Sequence, residues 1–365
     1  MNRRVLIVGP TPPPLGGMET CVEQLMRSRV ASEYELHLQR THVIDPTRFN
    51  GALGNASALV NAGIVLGSLV REMRSFKPAI VHLHTNSYTG FYKMAGYSSL
   101  CRRMGARTIL HIHGGEFQNF YGNSRIGGLI RDMINANDAV AVLSEKWLEF
   151  FKSIGVDQEK MHVLNNCVEI PVAAEGSGGP PVFLFLSRIE RQKGVDEIIR
   201  AARLMHEKLP EARIVMAGPI THGMESIGDD VKAAGLEKFI ELRGPVVGKD
   251  KDSAYRGADV YLLPSHAEGM PMGLLEAMSY GLPCITTPVG GIPDVLKDGE
   301  NGLLVKPGDT DGLAAAMIRL AGDKEYRKKL GLAARKTIEC HYSWDIGASE
   351  ISALYGRMLE EKIGI

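Results

Sequence analysis

Short runs of aliphatic, β-branched residues recur along this 365-residue chain, each followed by a stretch with helical spacing, and the series occurs twice. The first run is Arg4-Val5-Leu6-Ile7-Val8-Gly9. Others lie at 35–39, 79–84, 108–113 and 139–143, with helical patterns near 17–28, 58–75, 90–103 and 125–136 between them. Runs that are apolar on both faces and separated by helices specify a parallel sheet covered on both sides. A Pro/Gly/Ser/Ala segment at 171–181 has no apolar period and reads as a linker. A second series then begins, with strands at 182–186, 213–217, 239–242, 260–263 and 283–286, a helix at 195–209 and helices at 310–322, 325–340 and 345–361. The fold class is therefore α/β, two doubly wound Rossmann-like domains joined near residue 175. At roughly 150 residues per domain the length suits two. In such sheets ligands bind beyond the carboxyl ends of the strands, so chemistry is expected in the loops that follow strands.

Composition removes several classes. Lys+Arg and Asp+Glu are both 42, and this zero net charge argues against a nucleic-acid partner. The five cysteines are scattered and odd in number, with no CxxC pair, which argues against a disulfide framework or a zinc site. The apolar run after the initial MNRR is too short for a secretory signal, so the expected location is the cytoplasm. Residues 51–70 carry no charge and are followed by Arg71, Arg74 and Lys77. Asn55, Ser57 and Asn61 interrupt the run, so a buried helix is preferred over a membrane-surface helix, and both over a span.

Two stretches of the second half carry chemistry. SHAEGMPMGLLEAMSYGLPCITTPVGGIPDV starts at Ser265, directly after a strand, and opens a helix near Pro271. Glu268 lies in the loop and Glu276 inside the helix. Amides near Met272, Gly273 and Leu274 would be free at the helix start, where they and the helix dipole suit a phosphate. Ser187-Arg188-Ile-Glu-Arg-Gln-Lys193-Gly194 also follows a strand, and Arg188 and Lys193 suit a diphosphate as a planar fork and a point charge. In the first half, Gly16 and Gly17 precede the first helix and permit close backbone approach, without the GxGxxG pattern. His82-Leu-His84 and His111-Ile-His113 each place two imidazoles on one strand face. Hydrogen bonding is the default reading for them, and no metal is assigned there. Asp250-Lys-Asp252 is a literal Asp-x-Asp, read as the acidic start of a helix rather than a metal site.

Joined in this order, these pieces resemble the family 4 glycosyltransferases, a retaining, nucleotide-sugar-dependent group with the GT-B fold. The resemblance rests on Glu268-x7-Glu276, Ser187-Arg188 with Lys193-Gly194, the segment 258–265, Gly290-Gly-Ile-Pro-Asp294 and the segment 298–308. It implies an N-terminal acceptor domain over 1–172, a nucleotide-sugar domain over 173–343, and a helix over 344–365 that returns to the first domain, with the site in a cleft between domains. Glu276 would hold the ribose and Glu268 the transferred sugar. The backbone of Gly269, Met270, Pro271, Met272, Gly273 and Leu274 would meet sugar and phosphates, with Gly16 and Gly17 also beside the donor. Arg188 and Lys193 would neutralise the leaving diphosphate, Val246 and Val247 would lie near the base, and His113 would touch the donor sugar. Ser144-Glu145 also faces the cleft in similar proteins. Two departures stand out: Met270-Pro271-Met272-Gly273 where Phe-Gly is common, and Asn165-Asn166 where Asn-Gly is usual.

The implied reaction is metal-independent transfer, with retention, from a nucleoside diphosphate sugar, first of all a UDP-sugar, to a hydroxyl of a glycan or lipid-linked glycan. No cofactor is implied, since the donor is a substrate. The rivals are a nucleotide-sugar 2-epimerase on the same fold, a non-enzymatic partner subunit and a two-lobed solute-binding protein. Arg71, Arg74, Lys77, Arg102, Arg103 and Arg107 suggest a basic face and a peripheral contact with the inner side of the membrane. The acceptor-selecting loops are expected near 40–60, 85–92 and 115–128.

Overall fold

A computed structural model describes residues 2–12, 16–41 and 51–360, with side chains from residue 60 onward in the last span. Residues 42–50 of the loop expected near 40–60, the side chains of 51–59, and Pro13, Pro14 and Leu15 lie outside the described residues.

The chain divides into two units, Met1–Cys167 with Trp344–Ile365, and Val168–Ser343. The first contains β1 (Arg4–Gly9), α1 (Gly17–Arg27), α2 (Val30–Glu33), β2 (Glu35–Arg40), α3 (Gly51–Ser75), β3 (Ile80–Thr85), α4 (Thr89–Arg103), β4 (Arg107–Ile112), α5 (Phe117–Gly122), α6 (Gly127–Asn135), β5 (Ala139–Val142), α7 (Glu145–Ser153) and β6 (Met161–Val163). The second contains β7 (Val182–Leu186), α8 (Val195–His206), β8 (Arg213–Ala217), α9 (Ile227–Ala233), β9 (Ile240–Gly244), α10 (Gly248–Arg256), β10 (Val260–Leu263), α11 (Met272–Ser279), β11 (Cys284–Thr286), α12 (Ile292–Val295), β12 (Leu303–Leu304), α13 (Thr310–Gly322) and α14 (Lys324–His341). The last helix, α15 (Trp344–Glu360), belongs to the first unit.

Each unit is built on a six-stranded sheet, ordered β2-β1-β3-β4-β5-β6 in the first and β12-β11-β10-β7-β8-β9 in the second. Every strand pair is parallel. In the first unit β1 and β3 are neighbours from which the chain leaves in opposite directions; in the second, β7 and β10 are. These are the switch points where a crevice opens beyond the strand ends.

Strands β1 and β10 form where the sequence is apolar on both faces. Val5, Leu6, Ile7 and Val8 are fully buried, as are Val260, Tyr261 and Leu262. Helix α15 closes the core of the first unit with Ala348, Ile351, Leu354, Tyr355 and Met358 packed against Val5, Ile7 and Ile80.

Several sequence expectations change in detail. The handover between units falls at Cys167/Val168, earlier than residue 175, because the segment expected as a linker is stitched onto the second unit. Ala174 N–H donates to Tyr280 O at 2.7 Å and Gly176 N–H to Arg256 O at 3.1 Å. The single helix expected near 125–136 is preceded by the short α5. Helix α3 starts at Gly51 and is half buried rather than fully so: Val65, Leu69 and Met73 face inward, while Val60, Ile64 and Leu66 are exposed. Among the described residues no helix is long and apolar enough to cross a membrane. The basic face is also smaller than expected, because Arg102 donates to the Ala136 carbonyl.

Candidate functional site

In the second unit the loops after β7 and β10 leave adjacent strands and meet. His266 N–H donates to Gln192 O at 2.8 Å, tying the loop that carries Glu268 to the loop that carries Lys193. Gly194 makes the approach possible. It sits at φ +75°, and a Cβ there would run into the Pro264 carbonyl. Gly273 has a similar role at the start of α11, where a Cβ would strike the Tyr261 hydroxyl and Leu186 O.

Glu268 is 7% exposed, so it is not a solvated surface carboxylate. Lys193 Nζ donates to its Oε1 at 2.8 Å and Ser265 Oγ to the same oxygen at 2.7 Å. Both bonds fall on Oε1, which leaves Oε2 its acceptor capacity.

Glu276 is engaged on both oxygens. Lys251 Nζ donates to Oε1 at 2.6 Å and Tyr255 OH to Oε2 at 2.9 Å. Burial, reinforced by the charge of Glu276, pushes the Tyr255 phenol well above its ordinary value, so it stays a donor. A carboxylate has about four lone-pair sites, so each oxygen can still accept from one member of a hydroxyl pair.

Sequence reasoning missed Lys251, Tyr255 and Ser265. Lys251 and Tyr255 are four apart on α10 and so share a helix face, but nothing in the sequence says that this face meets α11.

Other expected residues are placed differently. Arg188 pairs with Glu190 at 3.1 Å, and its side chain is about half exposed. The Leu274 amide is not free, because it donates to Pro271 O at 3.1 Å. The backbone donors left at the start of α11 are those of Met272 and Gly273, one turn from Glu276. Gly269 and Met270 are buried. Val247 is exposed and caps α10, next to the half-buried Val246. Asp252 accepts from Arg256 at 2.7 Å and from Tyr280 OH at 2.7 Å. The Arg256 hydrogen bond is the first cause holding its carboxyl below the ordinary value.

In the first unit, Gly16 is the extended residue before α1, and a Cβ on it would meet the Glu19 carboxylate. Ser144 caps α7 through a bond from Trp147 N–H at 3.4 Å. Asn165 Nδ2 donates to Leu143 O at 2.9 Å.

The two histidine pairs interleave because β3 and β4 are in register with His84 opposite His111. His82 Nδ1 lies 2.8 Å from Tyr355 OH and its Nε2 lies 3.2 Å from His111 Nδ1. His84 Nδ1 lies 2.9 Å from His113 Nε2. Burial pushes all four imidazoles below their ordinary value, His111 to about 4. They are neutral at pH 7.

Comparison with known proteins gives this geometry a context. The model of Glycosyltransferase Family 4 matches residues 15–170, and that of glycosyl transferases group 1 matches residues 170–337. The sulfoquinovosyl transferase SQD2 of Arabidopsis thaliana is 30% identical over 227 residues, covering 60% of this chain and 41% of the relative. The D-inositol 3-phosphate glycosyltransferase of Saccharomonospora viridis is 31% identical over 252 residues, covering 64% and 55%. The chain thus spans about half the length of the curated relatives it matches. Among solved structures, sucrose-phosphate synthase from Thermosynechococcus elongatus superposes with a TM-score of 0.82 at 16% identity, covering 98% of this chain and all of that one. Anabaena HepE in complex with UDP-glucose gives 0.76 at 16% identity, covering 97% and 99%. With two consecutive family models spanning residues 15–337 and whole-chain neighbours of GT-B fold, the chain belongs to the family 4 glycosyltransferases.

Proposed function

We propose that this protein transfers a sugar, with retention of anomeric configuration, from a nucleoside diphosphate sugar to a hydroxyl of a glycan or lipid-linked glycan. The observation that carries the proposal is the pair of carboxylates at the β7/β10 switch point, each held by a lysine: Glu268 by Lys193 and Glu276 by Lys251. Glu276 takes the ribose hydroxyls and Glu268 the hydroxyls of the transferred sugar. Lys193, Arg188 and the Met272 and Gly273 amides draw off the charge that develops on the diphosphate as it leaves. The acceptor hydroxyl attacks from the face the diphosphate departs, and the departing phosphate takes its proton. His113 of the first unit is assigned to the transferred sugar. UDP-glucose, the ligand named for HepE, makes uridine diphosphate sugars the first donors to try.

The acceptor side includes a membrane hypothesis. The exposed face of α3 presents Val60 and Ile64, then Arg71 and Arg74 one and two turns beyond Gly67. Apolar residues followed by cations suit an anionic lipid surface. Cosedimentation with vesicles of anionic and neutral lipid tests it, and equal recovery in the supernatant with both contradicts it.

Transfer itself is tested by incubating the protein with a donor panel, with and without membrane-extracted glycolipid. Sugar incorporation that requires the acceptor supports transfer. Isomerised sugar formed from the donor alone supports the 2-epimerase reading instead.

A further inference from the structure

Tyr88, in the loop between β3 and α4 of the first unit, has φ +58° and ψ −133°. Those are the angles of the first central residue of a type II′ turn, a place that glycine ordinarily fills, and a bulky side chain there is a strained outlier. Such strain persists where the surrounding structure holds it, and it gathers at ligand clamps. Burial does not offset it here. Tyr88 is 50% exposed, and its ring leans on Phe120 at a centroid distance of 5.2 Å and an angle of 57°. Phe120 is itself fixed by Phe91, Tyr92 and Phe117, at 5.7, 5.6 and 5.2 Å. Two residues before Tyr88, Asn86 is also exposed. Its amide lies over Gly90, where a Cβ would run into Asn86 Oδ1. We propose that Tyr88 is the platform on which a pyranose ring of a saccharide acceptor rests, and that the Asn86 amide holds the hydroxyls of that ring.

The pair has the chemistry of a sugar-binding surface. A pyranose presents an apolar face of C–H groups, which an exposed aromatic ring covers, and a rim of hydroxyls that both donate and accept. A carboxamide answers such hydroxyls, with an oxygen that accepts and a nitrogen that donates. A hydrocarbon chain would use the ring and leave the amide unanswered. Ser87, between the two, is buried against Gly114, where a Cβ would run into the Ser87 hydroxyl and amide. His113 N–H donates to Thr85 O at 2.8 Å. The loop is therefore seated on the residues beside His113, to which the transferred sugar is assigned, beyond the carboxyl ends of β3 and β4. Glycine would suit the backbone of position 88 better, but it would bring no ring. The acceptor role rests on the transferase reading; the binding of a sugar at Tyr88 is measurable without it.

The test is saturation-transfer NMR on the full chain with the methyl glycosides of glucose, galactose, mannose and N-acetylglucosamine, with UDP titrated into the same samples. At least one glycoside is expected to receive saturation, strongest on the C–H protons of one ring face. Tyr88→Gly relieves the backbone and removes the ring. It is expected to weaken that glycoside roughly tenfold or more, with a melting temperature no lower than that of the unsubstituted chain. Tyr88→Phe keeps the ring and is expected to retain binding, and Asn86→Ala to weaken it. Saturation of no glycoside, or unchanged binding in Tyr88→Gly, overturns the assignment. So does loss of binding in Tyr88→Gly together with a lowered melting temperature, which would assign the ring to packing on Phe120. UDP separates the two readings. A chain that binds UDP but no glycoside loses the platform and keeps the transferase reading; one that binds a glycoside through Tyr88 but no UDP keeps the platform and loses that reading.

Discussion

Lys193 Nζ stands 2.8 Å from Glu268 Oε1, with the lysine side chain 13% and the glutamate side chain 7% exposed. Removing one partner of so enclosed a pair leaves a buried charge unmatched, at about 3 kcal/mol or more. Lys193→Met should lower the midpoint of urea unfolding accordingly, and Lys193→Met with Glu268→Gln should restore much of it. Neither variant should recover transfer, since the cation facing the leaving group is gone. A double variant with normal transfer would show that the pair is only structural.

Glu276→Ala is expected to cost ~1–3 kcal/mol of transition-state stabilisation, the scale of a charged hydrogen bond, or roughly 5- to 150-fold in kcat/KM. Lys251→Ala should act in the same direction and less strongly, because Tyr255 still holds Oε2. Steady-state kinetics with a saturating acceptor and varied donor check both. An unchanged kcat/KM for donor in both variants would remove Glu276 from the nucleotide.

Gly194→Ala tests the loop junction. At φ +75° with the Pro264 carbonyl in the way of a Cβ, the substitution forces the two loops apart and should destabilise the protein by upwards of ~2 kcal/mol. A loss of donor affinity should accompany it. A denaturation midpoint equal to that of the unsubstituted chain would mean that the loops do not meet as described.

The histidine stack sets an acid limit. Histidines whose folded values lie below the unfolded value of about 6.5 leave the unfolded state binding more protons as pH falls below that value. Stability is therefore full above pH ~6.5 and declines as pH drops toward the folded values. For His111, held near 4, the loss is about 3 kcal/mol across that window. Urea midpoints at pH 7, 6 and 5 should fall steeply, and less steeply in His82→Gln. A flat profile would show that the stack is already charged or solvated.

The parts of the fold legible in the sequence were those written in local pattern. The runs at 5–8, 182–186 and 260–263 are apolar at every position, and strands form there because both faces are covered. The places of Glu268 and Glu276 after β10 were legible from the order of strand, loop and helix start, and their pairing as site residues from the family resemblance. What was not legible depends on which elements become neighbours. Lys251 and Tyr255 meet Glu276 only because α10 lies against α11. The histidines join into one stack only because β3 and β4 pair with His84 opposite His111. The strand pairings of Met161–Val163 and Leu303–Leu304 were missed because runs of three and two residues carry no periodicity.

The most direct test of the central claim is calorimetric titration of the full chain with UDP, GDP and ADP, beside Lys193→Ala and Glu276→Ala. The account predicts saturable binding of one nucleoside diphosphate, weakened at least ~5-fold in each variant. Binding of none of the three, or equal affinity in all three proteins, would contradict it.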